Sequence, residues 1–118
     1  MTEFKEVKHS GKEHLFKTGA GRDNRDGKGR YDLLPTRAIK RIAVHYENGG
    51  KVHGNRNWEK GIPVSRCFDA ALRHLFQALE GKDDEDHLAA CAWNVLAIIE
   101  TRERIEKGML PKELDDLK

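Results

Sequence analysis

Apolar positions at helical spacing mark three segments of the chain. Ile39, Ile42, Ala43 and Tyr46 recur every three or four residues and predict a first helix. Thr36, directly after Pro35, is its expected N-cap, and Asn48-Gly49 its expected stop. A second stripe runs through Phe68, Ala71, Leu72, Leu75, Phe76 and Leu79, opened by Pro63 with Ser65 as cap and closed by Gly81. Its opposite face carries Arg66, Asp69, Arg73, His74 and Gln77. The third pattern, Leu88, Cys91, Ala92, Val95, Leu96 and Ile99, continues towards Ile105 and ends at Gly108. The closing MLPKELDDLK predicts a short, loosely helical tail. No strand or repeat is predicted. The expected fold class is all-α: a small domain of three main helices with a long basic N-terminal arm and a Gly-rich loop. Residues 1–30 form the arm, polar and glycine-rich around GAGRDNRDGKGR, and residues 31–118 the helical domain.

The third helix changes this picture. HLAACAWNVLAII is apolar on nearly every side, interrupted only by His87 and Asn94. A helix apolar all round has to be covered on all sides. Three helices of this length cannot enclose one of their own number, so a homo-oligomer is expected.

At 118 residues the chain allows one domain, and its charged fraction of 36% against 37% hydrophobic makes a lean core. No run of about 18 apolar residues is present, so no membrane span is predicted. The opening MTEFKEVKHSGKEHLF mixes both signs and does not read as a signal peptide. Cys67 and Cys91 fall within helical patterns and match neither a zinc pair nor a disulfide framework. The chain reads as cytoplasmic. The net charge of +2 conceals an asymmetry: residues 1–67 hold fifteen Lys/Arg against eight Asp/Glu, residues 68–118 seven against twelve. A basic first half points to an anionic partner or to attraction between neighbouring subunits.

The loop GGKVHGNRNWEKG, residues 49–61, supplies Lys51, His53, Arg56 and Lys60, with glycines that let backbone N–H groups approach a phosphate. Asn55 and Asn57 can bond a base edge or sugar, and Trp58 offers a stacking face; the plainer reading makes Trp58 a hydrophobic lid. His87 and Asn94 lie two turns apart on one side of the third helix. Asp69 and Arg73 are spaced for an i,i+4 pair, with His74 beside them. The run Asp83-Asp84-Glu85-Asp86 suits either a metal or, at a helix start, the capping of free N–H groups. Only Asp86, next to His87, carries forward as a ligand candidate.

GKGRYDLLP, RNWEKG, DAALRHL and DEDHLAACAWN occur here in an order that resembles a family of small phage and prophage proteins, the dATP/dGTP diphosphohydrolase N-terminal domain. The resemblance covers roughly residues 16–117. It implies kinship with all-α nucleotide pyrophosphatases of the MazG type, oligomers that cut nucleoside triphosphates to monophosphate and pyrophosphate. Arg30, Arg56, Asn57, Trp58, Lys60, Arg73, His74, Asp86, His87 and Asn94 are its matching motif positions. One departure stands out: the E-E-x-x-E pattern that holds Mg²⁺ in MazG-type enzymes is absent, and Glu100 and Glu103 are interleaved with Arg102 and Arg104.

Two function classes follow. In the first, a metal-dependent pyrophosphatase, Asp69, His74, Asp86 and His87 are catalytic, with Asp69 and Asp86 on Mg²⁺ or Mn²⁺. Arg30, Tyr31, Lys51, Arg56, Asn57, Trp58, Lys60, Arg73 and Asn94 bind the ligand. In the second, a sponge sequesters a nucleotide immune signal uncut, as an anti-defence protein of a phage would. Nucleotide binding is common to both. No membrane and no specific nucleic acid is expected as partner, and the setting is the cytoplasm of the infected or lysogenic bacterial host.

Overall fold

A computed structural model describes residues 7 and 9–117. The chain divides into two compact units, one ending at Leu34 and one starting at Pro35.

The first unit corrects the expectation of a strand-free chain. Strands β1 (Glu13–Leu15) and β2 (Gly21–Asp23) pair antiparallel, Glu13 opposite Asp23 and Leu15 opposite Gly21. Three-residue strands are too short to show an alternation in sequence, so the signal lies in the turn. Gly19, at φ +88°, donates its N–H to Phe16 O, and Phe16 N–H donates to Ala20 O, both at 2.9 Å. Asp23 anchors the hairpin by accepting from Ser10 N–H at 3.0 Å and Lys28 Nζ at 2.7 Å. A 3₁₀ turn over Tyr31–Leu33 follows, with Arg30 donating twice to Asp32 at 2.8 Å.

The second unit holds α1 (Thr36–His53), α2 (Val64–Leu79) and α3 (His87–Glu106), with α3 packed chiefly on α2 and less on α1. Among the described residues the protein is thus mostly helical, with three α-helices and one small sheet. Val64, Cys67, Ala97 and Ile98 form the core, with Ile62, Phe68 and Trp93 packed around it. Ala71, Ala89 and Ala90 are also buried, and such small side chains let helix backbones approach closely. Along α3, His87, Asn94 and Thr101 are buried at seven-residue intervals, a polar line on the face that also buries Ala90 and Ala97.

Three helix boundaries differ from expectation. Thr36 is the first residue of α1 and not its cap: Pro35 holds the N-cap position, and no side chain caps this end. α1 runs through Asn48, Gly49 and Gly50 and stops only at Gly54, whose φ of +89° ends the helix with its N–H on Gly50 O at 2.9 Å. Glycine inside a helix weakens it by about 1 kcal/mol but does not end it; a left-handed residue does. Ser65 lies inside α2, which starts one residue earlier behind Pro63. Its N–H and hydroxyl both donate to Asp116, so the end of the chain caps α2. Gly61, at φ +102°, makes room there: an added Cβ would lie 2.7 Å from Leu114 Cδ1. The other ends follow the sequence. Gly81 and Gly108 both take positive φ, and Asp86 caps α3 by accepting from Ala89 N–H at 3.1 Å. The tail makes a single 3₁₀ turn, Lys112–Leu114.

Candidate functional site

The late stop of α1 creates the cleft. The last turns of α1, the 3₁₀ turn Asn57–Lys60, His74 of α2 and the Ala90–Asn94 turn of α3 line a volume of about 770 Å³. Its aromatic walls are Trp58, Tyr46 and Trp93, the last two with ring centroids 5.8 Å apart. Its polar walls are the carboxamides of Asn55, Asn57 and Asn94, and its ionisable groups include Arg56, His45, His53, His74 and Glu47.

Local backbone chemistry sets several of these side chains. Arg56 is held at φ 60°, ψ 25°, the sole non-glycine with positive φ among the described residues. Its guanidinium donates to Glu59 at 2.7 Å. Trp58 is half-buried and outside the core, with the Arg104 guanidinium 4.8 Å from its ring centroid. Asn94 is 8% exposed and donates Nδ2–H to Ala90 O one turn back at 2.9 Å. Gly50 faces Asn55 so closely that an added Cβ would collide with Asn55 Oδ1.

A second cluster adjoins the cleft through His74. His74 Nδ1 lies 3.0 Å from His87 Nδ1 and 3.7 Å from Glu85 Oε1. His87 Nε2 lies 2.7 Å from Asp84 Oδ1, and the His87 residue is 3% exposed. Burial lowers the pKa of His74, opposed by the Glu85 charge. The His87 hydrogen bond holds Asp84 below the usual carboxylate value. Asp86 is held low chiefly by its hydrogen bond with Arg41, whose Nε donates at 2.9 Å and whose Nη2 takes the other oxygen. That fork ties α1 to the start of α3.

Of the residues singled out in the sequence, Arg56, Asn57, Trp58, His74 and Asn94 share the cleft wall. His87 stands behind His74. Lys51 and Lys60 do not line the cleft: both are exposed, and Lys51 pairs with the lining residue Glu47 at 3.8 Å. The cleft wall is therefore aromatic and amide-rich, with Arg56 as its sole Lys/Arg. Asp69 and Arg73 are exposed and form no ion pair with each other among the described residues. Asp86 is engaged by Arg41 and by the helix cap. Arg30 and Tyr31 belong to the first unit, where both are exposed.

The cleft also uses residues that the sequence did not flag. Tyr46 sits on the helical stripe that reads as core, His45 is its polar neighbour outside that stripe, and Trp93 hides in an apolar run. Glu85, which belongs to the adjoining cluster and not to the cleft wall, resembles its neighbours in an acidic helix start. Only spatial convergence separates these residues from packing.

The family described as dATP/dGTP diphosphohydrolase, N-terminal, matches residues 18–110. The chain belongs to this family. No curated protein and no solved structure matches the chain. The match to this diphosphohydrolase family leaves out β1 and spans β2 through α3, and therefore every residue of the cleft. Among the described residues, no helix is long and apolar enough to cross a membrane.

Proposed function

We propose that the cleft binds a purine deoxynucleoside triphosphate. The observation that carries this reading is the convergence of Trp58, Trp93 and three asparagine carboxamides on one volume in a chain of a nucleotide-named family. Aromatic faces stack a base without choosing it, whereas carboxamides, each both donor and acceptor, read its edge or the sugar. Arg56 and the three histidines are the groups available to phosphate oxygens. The reaction we assign is hydrolysis: water adds at the α-phosphorus, the α–β anhydride breaks, and pyrophosphate leaves with monophosphate as the second product.

A second reading, sequestration without cleavage, is favoured by one specific feature. The carboxylates proposed for Mg²⁺ or Mn²⁺ are not gathered: Asp86 has both oxygens on Arg41, and Asp69 is exposed on α2. In that reading the protein is a sponge for a nucleotide signal. Both readings place the protein in the cytoplasm of a phage-infected bacterium, self-associated through the apolar faces of α2 and α3. Incubation with dATP, dGTP and other nucleotides, with and without Mg²⁺ or Mn²⁺, separates the two. Monophosphate and pyrophosphate establish the enzyme; intact ligand recovered from heat-denatured protein establishes the sponge. Failure of every nucleotide to bind overturns both.

A further inference from the structure

The two buried-facing histidines offer more than a polar contact between helices. We propose that His74, His87 and Glu85 bind one divalent first-row transition ion beside the cleft. This differs from the Mg²⁺-carboxylate set by which MazG-type enzymes are described. The identity of the outer ligand rests on the nucleotide reading, but metal binding itself does not.

The geometry around His87 fixes its tautomer. Asp84 Oδ1 lies 2.7 Å from Nε2, and an ionised carboxylate can only accept, so Nε2 carries the proton. In neutral His87 the lone pair is then on Nδ1, aimed at His74. A carboxylate that orients the far nitrogen of an imidazole is the usual support of a metal-bound histidine. The two Nδ1 atoms are 3.0 Å apart. Two nitrogens on one ion, with bonds of about 2.0–2.1 Å, stand roughly 2.9–3.4 Å apart between octahedral and tetrahedral angles. The third donor, Glu85 Oε1, belongs to the same group, in which all three ligand atoms lie within 4.8 Å of one another. Its side chain is half-exposed, with Oε1 already 3.7 Å from His74 Nδ1.

The donor set chooses the ion. Two imidazoles with one carboxylate suit Zn²⁺, Co²⁺, Mn²⁺ or Fe²⁺, whereas Mg²⁺ prefers oxygen throughout. Three protein ligands leave coordination positions open. His74 lines the cleft, so those positions face the volume assigned to the nucleotide and suit a phosphate oxygen or water. With Arg56 as the cleft's sole Lys/Arg, an ion here adds the charge that a triphosphate requires.

The test titrates the chelator-treated full chain with Co²⁺ and Zn²⁺ by calorimetry, and with Co²⁺ by visible absorption. One ion per chain at micromolar or tighter affinity is expected, with Co²⁺ bands characteristic of imidazole ligation and no competition from millimolar Mg²⁺. Asp84→Asn should weaken binding about 10–100-fold, the range for loss of an orienting partner. His74→Ala should abolish stoichiometric binding. His87 is too buried for truncation to be a safe test, so exposed Glu85→Gln serves as the second variant; it should weaken binding while circular dichroism and the melting curve stay unchanged. Absence of stoichiometric uptake by the wild type, or wild-type affinity retained in His74→Ala and Glu85→Gln, overturns the site. Binding of dATP and dGTP to the metal-free chain is measured in parallel. Nucleotide binding without metal uptake removes only the metal proposal; metal uptake without nucleotide binding removes only the cleft reading.

Discussion

Trp58 is held on one side by Arg104, which also donates to Glu100 at 2.8 Å and lies 3.7 Å from Glu59. The ring is thus positioned by a cation on one face and contributes to the cleft wall. Trp58→Ala should weaken nucleotide binding roughly tenfold or more, since stacking on an aromatic ring is worth about 1–3 kcal/mol. Trp58 lies outside the core cluster, so the variant should lower the melting temperature only slightly. Calorimetry and thermal melts on the same samples decide between ligand wall and packing. Unfolding of the variant, or unchanged affinity, removes Trp58 from the site. Trp58 was legible because a large aromatic among Gly, Asn and Lys has no core of its own to join. Trp93 was not, because an aromatic inside HLAACAWNVLAII satisfies the apolar pattern whether or not one edge reaches a cleft.

At the scale of elements, the glycine pair of α1 separates helix stability from cleft architecture. A Cβ at Gly49 meets nothing within 4 Å, whereas one at Gly50 meets the Asn55 carboxamide. Gly49→Ala should therefore stabilise α1 by about 0.5–1 kcal/mol. Gly50→Ala should gain less and turn Asn55 away from the wall, weakening ligand binding. Thermal melts and ligand titrations of the two variants check this contrast, which equal behaviour would refute. The second element-level test is the Ser65–Asp116 cap. Asp116 is held below the usual carboxyl value of 3.8, first by the Ser65 hydroxyl and then by the Ser65 N–H. A depressed carboxyl contributes stability above its unfolded value and loses it as the pH falls through its lower folded value. Asp116→Ala should lower the melting temperature at pH 7, and that difference should close as the pH falls below about 3.8. A difference independent of pH would mean that the contact works without the charge. The helices were legible because their apolar stripes and terminal glycines are local. The hairpin and this cap were not: one lacks any periodicity, and the other joins residues 51 positions apart.

For the whole molecule, the decisive feature is the apolar surface that the three helices leave uncovered. Leu72, Phe76 and Leu79 follow one face of α2, and Leu88, Val95 and Ile99 follow one face of α3, all of them exposed in the single chain. Leu79 reaches 81% exposure. Scattered apolar side chains on a surface need no explanation, but stripes at helical spacing on two packed helices form the kind of patch that partners cover. The apolar circumference of α3 already pointed to this in the sequence, since the inward face alone accounts for Ala90, Ala97 and Ile98. A second copy of the chain is the proposed cover, apolar against apolar, through the same face on both copies. A stable pairing of this kind buries about 1,200–2,000 Å² in total. Val95 is 43% exposed in the single chain, so Val95→Glu costs little within the subunit and places a charge in the contact. Light scattering should give a multiple of the 13.5 kDa chain mass for the wild type at micromolar concentration. Val95→Glu should move it towards the single-chain mass while far-ultraviolet circular dichroism keeps its helical signal. A wild-type chain that remains a monomer throughout the micromolar range would show that these stripes face solvent, and self-association would then have to be abandoned.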